Sequence, residues 1–252
     1  MRLVVLMYHR VAPGPRVSPE DLTLSPEEFA WQMARLQQDG FTPVGQADVA
    51  AWLQGARGLP ERPVVVSFDD GYADTMLHAF PLLERLQIPA VSFLVTRRLG
   101  GMNEWDTGKL PSWRLMEADD VRIWSKRGIE FGAHGRTHRS LVDVEPTMLA
   151  AEIDGSAEDL AALLGAPPLA FAYPYGDVDG AAREHVSRRF ALAYGAREGA
   201  NKPGCDRWEL RRTGVSPSHP KLEFWCQLHL GWNPVSKPRN ALTRITWPHR
   251  VA

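Results

Sequence analysis

The sequence predicts an α/β fold, a parallel sheet or (β/α) barrel of about seven strands with helices on the outside. Three observations lead there. The chain has 252 residues, a normal length for one α/β barrel and enough to bury a full hydrophobic core. Strand-like and helix-like stretches alternate along it. The run Val64-Val65-Val66 is continuous and β-branched, as expected of a strand buried on both faces.

The elements follow in order. Leu3 to Met7 is the first apolar strand, and Pro13 to Ser18 is a turn-rich loop. Ser25 reads as a helix N-cap, with Pro26 at the first helical position and Glu28 completing a capping box. Phe29, Met33 and Leu36 give that helix one apolar face, and Gly40 stops it. The strand at Val64 runs into Ser67-Phe68-Asp69-Asp70-Gly71, and one helix is expected over Ala73 to Leu86. Ala90 to Val95 is a strand, Leu99 to Trp113 a long loop rich in Gly, Trp and charge, and Glu117 to Arg127 a helix. Ile129 to Ala133 is a strand ending at His134, and Thr147 to Leu164 is a long helix. Leu169 to Tyr173 is a strand stopped by Pro174; Leu192 to Tyr194 and Leu210 to Val215 are two more short ones. The whole chain, 1–252, reads as one domain, with a core over about 3–215 and a C-terminal helix and tail over 216–252.

Composition narrows the function classes. Basic and acidic residues number 29 and 30, so bulk charge points to neither a nucleic-acid nor a membrane-surface partner. The locally basic stretch from Lys237 to Arg250 reads as a solvated tail. Cys205 and Cys226 have no metal or redox spacing and are expected as reduced thiols. The first apolar run is too short for a signal-peptide core or a membrane span, which sets the expectation of a cytoplasmic protein without a transmembrane segment.

Three clusters carry chemistry. Asp69 and Asp70 sit side by side at the end of an apolar strand, where two carboxylates repel each other unless a cation lies between them. Read alone, they equally suit a polar strand-to-helix turn with an Asp cap. His134 and His138, four apart, can reach one ion from a tight loop, and with a carboxylate they form a common catalytic zinc set; alone, such a pair is more often two surface histidines. His78, His185, His219 and His249 have no such setting. Phe171-Ala172-Tyr173-Pro174-Tyr175-Gly176-Asp177 ends a strand with two tyrosines at its rim, which by itself suits core packing. All three clusters fall at the C-terminal ends of different strands, the face that carries the active site in parallel barrels.

In these clusters the sequence resembles the polysaccharide deacetylase family, the NodB-type domain of carbohydrate esterase family four, and its exopolysaccharide-type members in particular. The resemblance runs from about Leu3 to Val215 and implies a distorted (β/α) barrel. Ser67 to Gly71 matches the motif whose first Asp is the general base and whose second binds metal, which assigns those roles to Asp69 and Asp70. His134 and His138 match the two metal histidines. Phe171 to Gly176 looks like the motif ending in Pro-Tyr, which gives the Tyr175 backbone N–H an oxyanion-binding role and puts Tyr173 and Pro174 beside the substrate. The opening Leu6 to Val11 is similar to the start of exopolysaccharide-type members and places His9 at the floor of the site. Three positions depart from the pattern. Gly135 replaces a Ser or Thr, and Ala172 replaces an Arg that orients the base, with Arg136, Arg211 and Arg212 as replacements. Gln227-Leu228-His229 only partly matches the motif whose His is the general acid, leaving His229 as the acid candidate.

The resemblance implies a hydrolase that removes N-acetyl groups from an N-acetylated sugar or polysaccharide, releasing acetate and a free amine. The metal is expected to be Zn2+, with Co2+, Ni2+ or Fe2+ also compatible with an Asp-His-His set. Trp105 and Asp106, in the long loop, offer an aromatic face and a carboxylate to a sugar ring. Two rival readings are hydrolysis of another C–N bond or an O-acetyl ester on the same scaffold, and a sugar-binding homologue without catalysis. A purely structural role leaves the paired carboxylates unexplained.

Overall fold

The computed structural model describes residues 2–18, 21–215 and 220–232. Eight strands lie among them: β1 (Val4–Tyr8), β2 (Thr42–Pro43), β3 (Pro63–Phe68), β4 (Ala90–Leu94), β5 (Ile129–Ala133), β6 (Ala170–Ala172), β7 (Leu192–Tyr194) and β8 (Thr213–Gly214). All pair in parallel, in the order β7-β6-β5-β4-β3-β1-β8, and β2 joins the start of β3. The sheet curls back on itself. Leu210 bridges to Tyr194 of β7, and four residues later Gly214 registers with Met7 of β1, so one short segment links the two ends of the sheet. The result is a distorted (β/α) barrel, as the alternation of elements predicts.

Side chains on successive strand residues part to two sides. Val4, Leu6, Val64, Val66, Ile129, Phe131 and Phe171 point outward and form the larger core with the helices. Leu3, Val5, Val65, Val91, Phe93, Leu192 and Tyr194 point inward and fill the barrel. The helices are α1 (Pro26–Gln38), α2 (Gln46–Leu53), α3 (Ala73–His78), α4 (Phe80–Leu86), α5 (Ala118–Lys126), α6 (Pro146–Leu164), α7 (Gly180–Arg189) and α8 (Pro220–Leu230). Helix α2 is not evident from the sequence. It packs Val49, Ala50 and Trp52 into the inward core and closes the N-terminal end of the barrel, where Glu130 at the start of β5 accepts from the Gln46 N–H.

The α1 capping box forms as read: Ser25 Oγ accepts from the Glu28 N–H at 3.1 Å, and Glu28 Oε2 accepts from the Ser25 N–H at 3.4 Å. Phe29, Met33 and Leu36 are fully buried, and Gly40 follows the helix with φ of 70°. The single helix expected over 73–86 is instead two, parted at Ala79. Pro81 explains the break, since it has no N–H to give the preceding turn and its ring crowds that turn's carbonyl. Cys205 and Cys226 are both free. Residues 216–219 and the tail 233–252, with its basic stretch, lie outside the described residues. Among the described residues no helix is long and apolar enough to cross a membrane.

Candidate active site

The inward-facing row of each strand leads directly to the site. On β3 it runs Val65, Ser67, then Asp69, whose N–H still bonds to the Tyr8 carbonyl at 3.0 Å, so Asp69 stays in the ladder and faces the barrel mouth. The chain turns sharply at Asp70 (φ 74°) and Gly71 (φ 78°). The left-handed backbone at Gly71 favours glycine, and a Cβ there would also lie 2.7 Å from Leu94 Cδ2. Asp69 and Asp70 are 3% and 5% exposed.

Arg212 holds Asp69. Its Nη1 and Nη2 donate to Oδ1 and Oδ2 at 2.6 and 2.8 Å, and its Nε donates to the Gly195 carbonyl at 2.8 Å. The guanidinium is 1% exposed and lies over the rings of Phe93 and Tyr194. Two parallel charge-assisted bonds fix both the position and the ionisation of the carboxylate. Burial alone would raise the Asp69 pKa, but Arg212 and then His134 outweigh it and hold the group below its ordinary value. Of the three arginines that sequence offers in place of Ala172, Arg212 is the one at the base. Arg136 instead pairs with Asp159, and Arg211 donates to the Glu198 carbonyl at the surface.

The imidazoles arrive from the end of β5. His134 keeps the ladder through its N–H to the Leu94 carbonyl (2.9 Å), and its Nδ1 lies 2.7 Å from the Ala172 carbonyl. A carbonyl only accepts, so the hydrogen is on Nδ1, and in the neutral ring Nε2 presents a lone pair. That Nε2 is 3.5 Å from Asp70 Oδ1, and His138 Nε2 is 3.1 Å from the same atom. Ligand atoms of Asp70, His134 and His138 all fall within 4.8 Å of one another. Asp70 Oδ1 has no geometrically sound hydrogen bond although it is buried. Such an orphaned oxygen, facing an imidazole lone pair, suits a shared cation far better than a hydrogen-bond network. Burial would raise the Asp70 pKa, but the charge and N–H groups of the imidazoles in their protonated form, His138 first, outweigh it and hold the group well below the usual range.

The ring of His138 is held from both sides. Trp105 stacks on it at 4.4 Å, and Tyr175 meets it edge-on at 4.6 Å. Five non-glycine residues have a left-handed backbone among the described residues; Asp70, His138 and Tyr175 are three of them. Strain therefore gathers where these side chains meet. Asp106, next to Trp105 in a short 3₁₀ turn, accepts from Asn103 Nδ2 at 3.1 Å and from the Tyr72 hydroxyl at 3.4 Å. Its pKa is raised, chiefly by burial and, despite Asn103, by the nearby Asp70. His9, half-buried at the end of β1, is close enough for its charge to act on both Asp69 and Asp70. Its carbonyl accepts from Thr75 Oγ1 at 3.0 Å.

The other assignments need correction. His229 stacks on Trp225, meets Phe41 edge-on and lies 3.2 Å from Asp39, beside the start of β2 and hence the N-terminal end of β3. Asp69 is past the other end of β3, so the structure does not bring His229 to the cluster. Tyr173 is fully buried against Phe171 in the outer core, because its place in the strand alternation turns it toward the helices rather than the mouth. Pro174 is buried, with its Cγ 3.7 Å from where a Cβ at Gly135 would lie, so it sits against the histidine loop.

Residues 56–191 match the sequence model of the polysaccharide deacetylase family, more than half of the chain. The chain belongs to that family. Family membership supports a hydrolase that acts on carbohydrate acetyl groups. A putative polysaccharide deacetylase, YxkH, of Bacillus subtilis is 21% identical over 217 residues, covering 86% of this chain and 72% of its own. A poly-β-1,6-N-acetyl-D-glucosamine N-deacetylase of Staphylococcus epidermidis is 26% identical over 163 residues, 63% of this chain and 56% of its own length. Among solved structures, IcaB from Ammonifex degensii superposes with a TM-score of 0.77 at 28% identity, covering 90% of this chain and 97% of that one.

Sequence reasoning missed the residues that hold the site without reacting. Tyr72, Asn103 and Thr75 are single polar residues with nothing in their local pattern to mark them, and Glu152 was passed over as well. Glu152 alone had a usable signal, an acidic residue on the face of α6 that otherwise buries Leu149, Ile153 and Leu160.

Proposed function

We propose that this deacetylase is a metal-dependent N-deacetylase of an N-acetylated glucosamine polymer. The observation that carries the reading is the convergence of Asp70 Oδ1 with the Nε2 atoms of His134 and His138 beside a second carboxylate locked by Arg212. Asp70, His134 and His138 would hold the ion, with Zn2+ the best match to two imidazoles and one carboxylate. When bound, it polarises the acetamide carbonyl and lowers the pKa of its water.

The chain's own groups then divide the remaining work. Asp69, kept ionised by Arg212, takes the proton from the water that attacks the acetamide carbon. The Tyr175 backbone N–H supports the oxyanion that develops. His9 is the histidine left at the site once two serve as ligands, and it gives the departing amine its proton. Trp105 and Asp106 border the sugar. The poly-β-1,6-N-acetyl-D-glucosamine N-deacetylase of S. epidermidis supports a β-linked N-acetylglucosamine polymer as substrate.

The test is acetate release from N-acetylglucosamine oligomers by the purified protein, alongside metal content. Asp69→Asn is expected to keep its metal and lose about 10²–10⁴-fold in kcat. Asp70→Ala is expected to lose both metal and activity. Full activity in both variants would overturn the reading.

A further inference from the structure

Glu152 lies one helix away from the reacting groups, yet three donors of the histidine loop end on it. Its Oε2 accepts from the backbone N–H groups of Arg136 (2.8 Å) and Thr137 (2.9 Å), and its Oε1 accepts from Thr137 Oγ1 (2.6 Å). The residue is 3% exposed. A carboxylate out of water is costly unless such donors surround it, and here they are two peptide N–H groups and one hydroxyl of the segment between the two imidazoles.

The same face of α6 shapes the rest of the loop. Glu152, Gly155 and Asp159 follow at spacings of three and four, one above the other. A Cβ at Gly155 would lie 2.3 Å from Arg136 Cζ, so the bare helix backbone is what lets that guanidinium lie down on it. Asp159 then accepts from Arg136 Nε and Nη2, both at 2.9 Å, and from Thr96 Oγ1 at 2.7 Å. The loop carbonyls of Gly135 and Arg136 accept from the Thr96 and Arg97 N–H groups at 3.1 and 3.0 Å. Gly135 has φ of 74°, and a Cβ there would sit 3.0 Å from Glu152 Oε2. Glycine at this place, where the family pattern often has a hydroxyl residue, spares the Glu152 carboxylate that tight contact.

We infer that Glu152 is a positioning residue for the metal centre. It imposes the backbone course, left-handed at Gly135 and again at His138, that aims both imidazoles at Asp70. This rests on the reading of Asp70, His134 and His138 as metal ligands. The hydrogen bonds of Glu152 go to Arg136 and Thr137 and not to the ligand side chains, so its effect is on the ligand geometry.

Glu152→Gln keeps the shape but replaces an acceptor oxygen with a donor. Zn2+ affinity, by chelator competition, is expected to fall about ten- to a hundredfold, the usual effect of losing a partner behind a ligand. The visible absorption of the Co2+-loaded protein should change in shape and intensity, while the metal-free protein melts close to wild type. Wild-type affinity and an unchanged Co2+ spectrum in Glu152→Gln would overturn the inference. Should that variant fail to fold, Thr137→Val, which removes one donor at nearly constant shape, is expected to show a smaller fall in affinity, and no fall would be equally fatal. A wild-type protein that binds neither ion fails the metal reading itself; a wild type that binds, with variants matching it, fails only the role given to Glu152.

Discussion

Arg211 and Arg212 are neighbours in the chain with opposite fates: one donates to a surface carbonyl, the other is sealed against Asp69. Nothing local in the sequence separates them. The difference is strand alternation on a segment too short to show a period, so the choice between them was not legible, whereas Asp69, Asp70, His134 and His138 were, because few structures gather such groups at strand ends. Arg212→Met tests the pairing. Removing one partner of a buried pair costs about 3–5 kcal/mol, and a lower Tm at neutral pH is expected. The sign of the pH effect follows from the depressed Asp69 pKa. The pair stabilises the fold above the ordinary carboxylate range, and that contribution fades as pH falls through the lowered folded value. Without Arg212, burial dominates and the Asp69 pKa rises, so the acidic limb of kcat/KM is expected to move to higher pH. An unmoved limb would show that Arg212 does not set the ionisation of the base.

Elements with a strong periodic or capping signal were readable, and those without one were not. Helix α1 declares itself through Ser25, Pro26, Glu28 and its apolar stripe, and it forms as expected. Helix α7 buries only Ala182 and Val186 on an otherwise charged surface, and α2 is apolar on most sides, so neither shows a stripe. The break at Ala79 was hidden because Pro81 suits the first turn of a new helix as well as it disrupts an old one. Ser25→Ala should cost about 1 kcal/mol through loss of the cap, read as a shift in urea midpoint with an unchanged slope and no change in kcat. Because α1 packs on the outer side of the sheet, a fall in kcat would contradict the separation of that core from the site.

For the whole molecule, the site draws on the ends of at least four strands, so a bound ion would tie distant parts of the chain together. At a hundredfold excess over Kd, a ligand that binds only the folded state adds about 2.7 kcal/mol. For a protein of this size that corresponds to a rise in Tm of about 5–10 °C. Scanning calorimetry before and after chelation, with Zn2+ returned, should show that loss and its recovery. Asp70→Ala should show neither; an identical shift in that variant would place the stabilising ion elsewhere. The barrel class was legible from the alternation of elements, but its closure was not, since it depends on one bridge at Leu210 and the two residues of β8.

That closing segment has a second property. It is at once the seam of the sheet and the carrier of Arg212, which stands between its two pairing points. Fraying there would take the counter-charge from the base while the other strands stayed paired. The ionisation of Asp69 is thus tied to the local stability of a few residues, and opening the seam is expected to shift the pH range in which the base works while the rest of the sheet stays paired.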